Sequence, residues 1–597
     1  MGELARNLAT MFGLSWAADR WRSLAALLTC AVLPVSMSLR AVGMAMIADG
    51  VVTGRQSRAM AGVALIAALT GLSHVVEWAN TATRMRLREH TVLHLDQRVM
   101  ELVAGLPGLE HHERADYQDR MELLRRQRGS LVNPFMPIAW TLANLVQLVT
   151  TVAILGRLHP ALLALPLAGI PSVLATTRTE RRWKRLWTQQ AEDQRVLAHL
   201  FELGTQPGAA KEVRLFGLAP ELDRRRLLTY QGLERRRVAT SLWAAWVSAG
   251  GWACFALGYV AGVTLVVDRA VHGSLSVGDI VLVLTLGGQV NAQVANLVQN
   301  TVWFNRTTEA ITHYRWLVAH ATTSHAELAT HRPGPAPSRI DNGITFSGVG
   351  FTYPGTGSAV LADVDLVLPA GAIVAVVGEN GAGKTTLVKL LLRFYDPTEG
   401  AVDVDGVDLR AIDVGAWRAR TSAGFQDFAR LQFTARRSVG VGALAHLDEE
   451  TIVLRAMARG GGGDLVASLP EGLATQLGRE FGTGVDLSTG QWQKVALGRA
   501  MMRDDPLLLV LDEPTASLDA TTEHALFEGF ASQAQRAAAG AGAVTVLVSH
   551  RFSTVRMADL ILVVAEGTVT ESGTHEELVR LGGRYAELYQ LQARGYA

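Results

Sequence analysis

"IVAVVGENGAGKTTLVKLLL", residues 373–392, is a short apolar run, a glycine-rich turn and an amphipathic segment in immediate succession. This order predicts a buried strand, a tight turn and a helix. Within it, Gly378, Gly383, Lys384 and Thr385 match the pattern G-x-x-x-x-G-K-[ST]. Glycines let backbone N–H groups close around phosphates at a helix N-terminus. Lys384 would reach the β- and γ-phosphates, and Thr385 would offer a hydroxyl to Mg²⁺.

A second motif lies further along the chain, in "PLLLVLDEP" at 506–514. It predicts a buried strand that ends in two acids, Asp512 and Glu513. Asp512 suits the coordination shell of Mg²⁺, and Glu513 is placed to orient and activate water. A strand followed by an acidic pair is common, but here it follows a phosphate-binding loop. The two motifs together predict an α/β domain that binds and hydrolyses a nucleotide.

The composition sets limits on the remainder of the chain. Of the 597 residues, 49% are apolar and 19% are charged, which is too apolar for an ordinary soluble enzyme. The net charge of +1 argues against a nucleic-acid partner. The two cysteines, Cys30 and Cys254, lie in apolar stretches and give neither a disulfide framework nor metal-ligand spacing.

The first half of the chain carries long apolar segments. About 20 mostly apolar residues are needed to cross a bilayer as a helix. Six segments qualify, near 23–48, 59–82, 132–156, 160–176, 241–267 and 275–303. The fourth is short and contains Pro166 and Pro171, so we expect its helix to continue beyond the bilayer.

The charges between these segments predict their orientation. The long connections 83–131 and 177–240 contain nine and fourteen Lys and Arg residues, whereas the short loops on the other side contribute four, Arg55, Arg58, Arg157 and Arg269. The positive-inside rule therefore places both long connections, the N-terminus and the second half of the chain in the cytoplasm.

The sequence thus predicts four segments. Residues 1–22 form an interfacial amphipathic helix rather than a removed signal, and 23–305 form a six-span membrane domain. Residues 306–340 form a linker, in which "HRPGPAPSR" (331–339) is extended, and 341–597 form the nucleotide domain. The fold class is an all-α membrane domain followed by an α/β P-loop ATPase domain.

With "DLSTGQWQKVALGRA" (486–500), these motifs resemble the ATP-binding cassette (ABC) transporters over essentially the whole chain. In that family the nucleotide domains work as a head-to-tail pair. ATP is held between the phosphate loop of one domain and the signature motif of the other. The resemblance implies ATP and Mg²⁺ as cofactors and a second half-transporter, of the same or a different chain, as partner.

The resemblance also implies roles for individual residues. Tyr353 would stack on adenine, Gln426 would touch Mg²⁺ and sense the membrane domain, Asp519 would communicate across the dimer, and His550 would contact the γ-phosphate. Taken singly, Tyr353 could instead pack on its strand, Gln426 could be a surface residue, and His550 a solvated strand end. The phosphate loop completes the implied ATP-binding set with Asn380, Gly381 and Thr386.

The signature motif departs from the family pattern Leu-Ser-Gly-Gly-Gln at Thr489. The two residues that meet the γ-phosphate in the family pattern, Ser488 and Gly490, are present, as is Gln491. Threonine is accepted at a helix start. Because Glu513 is also retained, we expect a competent half-site. The stretches "GVDLSTGQWQK", with Trp492 after the glutamine, and "KEVRLFGL" resemble bacterial natural-product and bacteriocin exporters.

The membrane domain contains candidate coupling and substrate residues. Coupling contacts to a nucleotide domain are expected at 109–120 and 209–217. Two helical faces carry polar side chains that would face the bundle interior; these are Gln289, Gln293, Asn296 and Asn300 on the sixth segment and Asn144, Gln147 and Thr151 on the third. They would line a substrate cavity or, equally well, join helices by hydrogen bonds.

The expected function is ATP-driven export of a peptide or natural product across a bacterial cytoplasmic membrane by alternating access. Fusion of the membrane and nucleotide domains in one chain favours export over import. Multidrug or lipid export by the same architecture is one alternative. A nucleotide-gated channel or a regulatory subunit is an alternative of another class.

Overall fold

The computed structural model describes residues 2–328, 334–514 and 520–596, and it divides into two compact units. The first contains Met1–Glu101 and Glu122–Trp316, and the second contains Leu102–Met121 and Leu317–Ala597. The boundary after Trp316 falls inside the expected linker. The segment 102–121, which the sequence places in the first long connection of the membrane domain, groups with the nucleotide domain.

Thirteen α-helices precede the first strand in the described part of the chain. They are α1 (Gly2–Ala18), α2 (Arg20–Val52), α3 (Gln56–Ala104), α4 (Glu110–Glu113), α5 (Ala115–Leu131), α6 (Met136–Leu158), α7 (Leu165–Ala168), α8 (Ile170–Gln189), α9 (Ala191–Thr205), α10 (Ala210–Leu215), α11 (Ala219–Val271), α12 (Val277–Leu282) and α13 (Gly288–Leu328).

In the described residues, six helical stretches are long and apolar enough to cross a membrane, which confirms the six expected spans and makes the chain a multi-pass membrane protein. They are Arg20–Val52, Gln56–Ala104, Met136–Leu158, Pro160–Gln189, Ala219–Val271 and Val277–Ser324.

The fourth span is built in pieces. A 3₁₀ turn, Pro160–Ala164, leads into α7, and α8 then runs to Gln189, as the sequence predicts. Pro166 and Pro171 lie in the first turns of α7 and α8. A proline is accepted there because that N–H group has no partner within the helix.

The linker expected at 306–340 differs from the prediction. Helix α13 continues the sixth span to Leu328, so residues 306–328 are helical. Residues 331–333 of "HRPGPAPSR" lie outside the described residues, and 334–339 contain an isolated bridge from Gly334 to Ile412 but no regular element. The sequence does not mark where this helix continues beyond the bilayer, because its residues outside the membrane are no longer mostly apolar.

The described residues of the second unit form two sheets. Its strands are β1 (Gly343–Thr352), β2 (Ala359–Pro369), β3 (Ile373–Val377), β4 (Glu399–Val404), β5 (Val407–Asp408), β6 (Thr421–Gly424), β7 (Leu508–Asp512), β8 (Val544–Val548), β9 (Leu560–Ala565) and β10 (Thr568–Gly573). One sheet is antiparallel, in the order β2-β1-β4-β5. The other has the order β10-β9-β3-β8-β7-β6, and only β10 is antiparallel in it.

Ten helices flank these sheets in the described residues. They are α14 (Lys384–Leu391), α15 (Val414–Ala419), α16 (Ala435–Gly440), α17 (Glu450–Arg459), α18 (Gly463–Ser468), α19 (Thr489–Ala500), α20 (Ala520–Ala541), α21 (Phe552–Val555), α22 (His575–Leu581) and α23 (Arg584–Tyr596).

The parallel sheet gathers the predicted motifs at one edge. Strands β7 and β8 are buried along their whole length and β3 along nearly all of it, as expected for parallel strands covered on both faces. In the sheet register, Val376 and Asp512 both pair with Val548 of β8. The loops that follow β3, β7 and β8 therefore leave the sheet at the same carboxyl edge, where open α/β sheets bind ligands.

Candidate nucleotide-binding site

The loop between β3 and α14 needs glycine at particular positions. Gly378 and Gly383 have φ angles of 153° and 106°. A Cβ atom at Gly378 would lie 2.2 Å from the carbonyl oxygen of Val564, and one at Gly383 would lie 2.7 Å from Leu361 Cδ2. Because both positions exclude larger residues, the loop closes tightly onto the start of α14. The Ala382 N–H group donates to the Glu379 carbonyl oxygen at 3.2 Å. The N–H groups at the start of α14 are placed to face an anion.

Lys384 is folded back onto this loop. Its Nζ atom donates to the carbonyl oxygens of Gly378, at 2.9 Å, and Glu379, at 2.8 Å. Among the described residues, no carboxylate lies within ion-pair distance of it. Burial lowers the pKa of Lys384, while the carboxylates of Glu513 and Asp512 oppose that change. A buried ammonium group held only by carbonyl groups fits a multivalent anion such as a phosphate chain.

Asp512 ends β7 and is only 6% exposed. Burial, with the negative charges of Glu513 and Asp427, raises its pKa to about 6, and Lys384 opposes this shift. A buried carboxylate crowded by other acids is stabilised by a cation at its oxygens. Oxygen ligands are those that Mg²⁺ prefers. The donor set of Asp512 and the Thr385 hydroxyl thus fits this ion.

Glu513 is held in an unusual backbone conformation. Its φ angle of 47° lies in the left-handed region, which costs roughly 1–3 kcal/mol for a non-glycine residue and is frequent at functional sites. Gln426 Nε2 donates to Glu513 Oε2 at 2.8 Å. The Nδ1 atom of His550 lies 3.3 Å from Glu513 Oε1. Residues from three separate loops therefore meet at this carboxylate.

A cavity of about 220 Å³ brings most of the predicted site together. Eleven residues line it: Val360, Asn380, Gly381, Gly383, Lys384, Thr385, Thr386, Gln426, Asp512, Glu513 and Val548. All but the two valines are residues that the sequence analysis assigns to ATP binding, to Mg²⁺ or, for Glu513, to activation of water. Gly378 and His550 contact members of this set without lining the cavity.

Tyr353 lies beside this cavity but does not line it. Its ring packs edge-on against Phe351 and Tyr395, with centroids at 4.9 and 5.5 Å. Its hydroxyl lies 3.1 Å from Thr386 Oγ1. Lys389 Nζ lies 5.0 Å from the ring centroid. Packing against neighbouring rings thus explains the position of the Tyr353 side chain without a nucleotide. Its stacking on adenine stays a prediction.

The signature motif forms the start of α19. Ser488 caps the helix: its Oγ atom accepts from the Gln491 N–H group at 3.2 Å, and Gln491 Oε1 accepts from the Ser488 N–H group at 2.9 Å. This reciprocal capping box leaves Thr489 and Gly490 in the first turn. None of these four residues lines the cavity around Lys384.

Trp492 is buried in a core cluster with Leu497 and Met501, so its side chain packs inside the nucleotide domain. Asp519 lies outside the described residues.

The sequence analysis missed Glu113 as a specific contact. It lies in α4, inside the stretch 109–120 expected to make coupling contacts. Its Oε1 atom accepts from Lys389 Nζ at 2.6 Å, and its Oε2 atom accepts from the Tyr395 hydroxyl at 2.5 Å. Burial, together with the Glu113 carboxylate, raises the pKa of Tyr395, so its hydroxyl stays protonated and donates. No sequence motif marks this acid, because its partners are 276 and 282 residues away.

The second expected coupling stretch, 209–217, contains the short helix α10 and belongs to the first unit. Leu215 and Phe216 at its end are both exposed. Its contact with a nucleotide domain stays a prediction.

The polar residues predicted on the membrane helices differ in burial and in their hydrogen-bond partners. Gln293 is buried, and its Nε2 atom donates to Thr151 Oγ1 at 3.0 Å, which favours joining of helices at this point. Asn144 donates to the carbonyl oxygen of Trp140 in its own helix, at 3.0 Å. Asn296 is exposed, whereas Asn300 is buried.

The sequence analysis missed Asn291, which lies two residues from Gln289 and Gln293 and therefore on nearly the opposite side of this helix. It is fully buried, with both amide atoms unpaired in the described structure. Gln289 and Gln147 are half-buried. The cavity of about 550 Å³ in the first unit is lined by none of the six predicted substrate residues.

Comparison with known proteins places this site in a family context. Residues 361–516 match the family model described as ABC transporter. This part of the chain, which contains the phosphate loop and the acids of β7, is therefore an ABC-type ATP-binding domain.

Two relatives illustrate the range of similar proteins. The human mitochondrial potassium channel ATP-binding subunit is 42% identical over 258 residues, which are 43% of this chain and 33% of that protein. The ATP-dependent lipid A-core flippase of Chromohalobacter salexigens is 38% identical over 257 residues, which are 43% of this chain and 42% of that protein. The matches thus span about a third to two fifths of these relatives' lengths.

A solved structure of a bacterial Atm1-family ABC exporter with ATP bound matches with a TM-score of 0.74 at 23% identity. The match covers 96% of this chain and 99% of the other. At this identity the likeness shows the fold. The chain has the fold of an ABC exporter half-transporter, in which a six-helix membrane domain is fused to an ATP-binding cassette domain.

Proposed function

We propose that the chain is one half of an ATP-driven exporter, in which ATP hydrolysis in the cavity around Lys384 powers movement of a cargo across the membrane. The observation that carries this proposal is the meeting of Lys384, Asp512 and Glu513 in one cavity, on a chain with six apolar spanning helices. A phosphate-binding lysine and an acidic pair at one sheet edge suit phosphoryl transfer to water.

The residues of the cavity divide the work of binding. The loop N–H groups and Lys384 would hold the phosphate oxygens. Thr385 and Asp512, with the side-chain oxygen of Gln426, would hold Mg²⁺. When bound, this ion supplies positive charge against the phosphates. Lys384 supplies further positive charge against the phosphates from its buried position in the loop.

Glu513 is the proposed general base. It would accept a proton from the water molecule that attacks the terminal phosphorus, while the bond to the bridging oxygen breaks and ADP leaves. Gln426 and His550 hold the two carboxylate oxygens of Glu513 from different loops. These contacts fix the orientation of the Glu513 carboxylate. A general base must be held within hydrogen-bond distance of the water molecule whose proton it accepts.

The partner is a second half-transporter, either another copy of this chain or a different chain. This proposal is supported by Ser488, Gly490 and Gln491, which lie away from the cavity around Lys384 in their own chain. At the N-terminus of α19 they would complete the ATP site of the partner. A retained Glu513 and a capped signature helix support a working half-site despite Thr489.

The proposed cargo is a peptide or natural product, exported across a bacterial cytoplasmic membrane with the nucleotide domain in the cytoplasm. The stretches "GVDLSTGQWQK" and "KEVRLFGL" support this cargo class, and the excess of arginine in 83–131 and 177–240 supports the orientation. Lipid export is the alternative that the similarity to the lipid A-core flippase favours.

A second candidate function is an ATP-dependent regulatory subunit of a channel. The specific support is the 42% identity to the ATP-binding subunit of the mitochondrial potassium channel. The two candidates differ in energetics, because a pump builds a gradient and a channel dissipates one.

Inside-out proteoliposomes distinguish them. An exporter should accumulate a labelled peptide, lipid or drug against its gradient when ATP is added outside, and Lys384→Ala should abolish both accumulation and ATPase activity. A regulatory subunit should show ATP-dependent ion flux down a gradient and no accumulation. ATPase activity that survives Lys384→Ala would contradict the proposed site itself.

A further inference from the structure

A cavity of about 550 Å³ lies in the first unit, between helices α3, α6 and α13. Its volume is that of a site for a small molecule or for part of a larger one. Its walls include the side chains of Arg84, Arg88 and Arg306 and those of Trp140 and Trp303. These five residues belong neither to the nucleotide site nor to the predicted polar faces.

The three arginines give this cavity an uncompensated positive charge. No acidic residue of the described part of the chain lines it. Within the described residues, none of the three has a hydrogen bond or an ion pair, and the Nε atom of Arg84 is buried without a partner. Guanidinium groups bind carboxylates and phosphates through paired N–H donors. Three unpaired guanidinium groups around one space are therefore suited to an anionic group.

The tryptophans supply an apolar wall beside this charge. The rings of Trp140 and Trp303 lie 5.1 Å apart between centroids, with 43° between their planes. The guanidinium carbon of Arg84 lies 5.8 Å from the Trp140 ring, within cation–π range. Trp303 is 44% exposed despite its size. An apolar or aromatic body would bury this ring surface.

The position of the cavity indicates from where a ligand enters. Arg84 and Arg88 follow the expected second span, 59–82, whereas Trp303 and Arg306 mark the end of the sixth, 275–303. Both ends lead toward the arginine-rich side that the positive-inside rule places in the cytoplasm. The cavity is thus at the membrane boundary where an exporter would take up its cargo.

We infer that this cavity binds an amphipathic anion, with a carboxylate or phosphate group at Arg84, Arg88 and Arg306 and an apolar ring or chain against Trp140 and Trp303. The inference rests on the proposed export function and gives its cargo a chemical class. A peptide carboxylate with a neighbouring aromatic side chain and the headgroup of an anionic lipid share this chemistry. Neutral analogues of the same shape bind more weakly.

The test uses the full chain in phosphatidylcholine nanodiscs and two soluble probes that differ by one charge, dansyl-phenylalanine and dansyl-phenylalaninamide. Equilibrium dialysis should give at least tenfold tighter binding of the acid. Arg84→Gln and Arg306→Gln should each reduce its binding about tenfold, and Arg84→Lys should restore part of it. Arg86→Gln, on the same helix but outside the cavity lining, is the matched control and should bind like the wild type.

A second arm separates the two sources of the anion. If a lipid headgroup is the ligand, phosphatidylglycerol added to the nanodiscs should compete with the acid for the wild-type cavity. It should not compete in Arg84→Gln. Unchanged binding assigns the cavity to soluble anions. Equal binding of acid and amide, or equal behaviour of Arg84→Gln and Arg86→Gln in protein that elutes as monodisperse, overturns the inference.

Binding and transport measurements together distinguish failure of the cavity assignment from failure of the proposed export function. Charge-selective binding without ATP-driven accumulation contradicts export but leaves the cavity assignment standing. ATP-driven accumulation with no charge preference and no effect of Arg84→Gln contradicts the cavity assignment alone.

Discussion

Replacement of Glu513 by Gln should separate ATP binding from ATP hydrolysis. Glutamine keeps the shape of the side chain and can still accept from Gln426 Nε2, which donates to Glu513 at 2.8 Å in the native chain. It cannot accept a proton. Loss of a general base slows turnover by roughly 10²–10⁴-fold, or about 3–5 kcal/mol in the barrier, since tenfold corresponds to about 1.4 kcal/mol.

ATP binding should survive this substitution. The charge of Glu513 is one of the causes that raise the pKa of Asp512, so its removal makes ionised Asp512 easier to maintain. It also takes one negative charge away from the phosphate-binding cavity. We therefore expect the Kd for ATP to be unchanged or lower, with the closed dimer accumulating in the presence of ATP and Mg²⁺.

The assay compares steady-state phosphate release with equilibrium binding of a fluorescent ATP analogue. The matched control is Glu379→Gln, an acid in the phosphate loop whose side chain is 65% exposed and pairs with Arg584 at 2.5 Å, outside the cavity lining. It should keep its ATPase rate within about twofold, as expected for an exposed charge. A Glu513→Gln rate above a tenth of the wild type, or a parallel loss of binding, would refute the assignment of the base.

Three further predictions concern Thr489, Asp512 and the Glu113–Lys389 ion pair. Thr489→Gly should leave the ATPase rate within a few-fold, because Thr489 is exposed and the capping box does not use its side chain; a large gain would identify it as a brake. Since the pKa of Asp512 is raised from 3.8 to about 6, the folded nucleotide-free chain binds an extra proton between those values. Thermal stability should then rise as the pH falls from 7 to 5 more in the wild type than in Asp512→Asn, and equal pH profiles would exclude this. The Glu113–Lys389 pair, 38% and 21% exposed, should show a coupling of about 0.5–1 kcal/mol in a double-mutant cycle read by thermal unfolding, and a value of zero would mean that the contact adds no stability.

Many residues of the nucleotide site could be predicted because they lie in short motifs, each of which is recognisable by itself. The loop conformation at Gly378 and Gly383 is dictated by positive φ angles and close approach of neighbouring atoms, and only glycine satisfies both. Asp512 and Glu513 follow a short apolar run between two prolines, which predicts a buried strand and is β7 in the structure. The phosphate loop and the acidic pair are far apart in sequence. They meet because the parallel strands that precede them end at the same edge of the sheet.

The membrane cavity could not be predicted in the same way. Polar spacing on one helix reveals a face, and the amides of that face partly join neighbouring helices, as Gln293 does with Thr151. The observed cavity takes Arg84 and Arg88, four residues apart, from α3, Trp303 and Arg306, three apart, from α13, and Trp140 from α6, so it combines short patterns from three helices. Which residues meet there depends on helix packing, which spacing within single segments does not specify.

Helix α14 connects the nucleotide site to the segment that follows the second span. Its eight residues extend about 12 Å, at about 1.5 Å per residue. Lys384, at its start, lies in the phosphate loop, and Lys389, five residues later, contacts both Glu113 and the ring of Tyr353. We expect α14 to carry a shift at Lys384 to the contact of Lys389 with Glu113, which a coupling measurement tests. Slower turnover in Glu113→Gln with unchanged ATP affinity would therefore locate the defect in this transmission, whereas weaker ATP binding would place it at Tyr353.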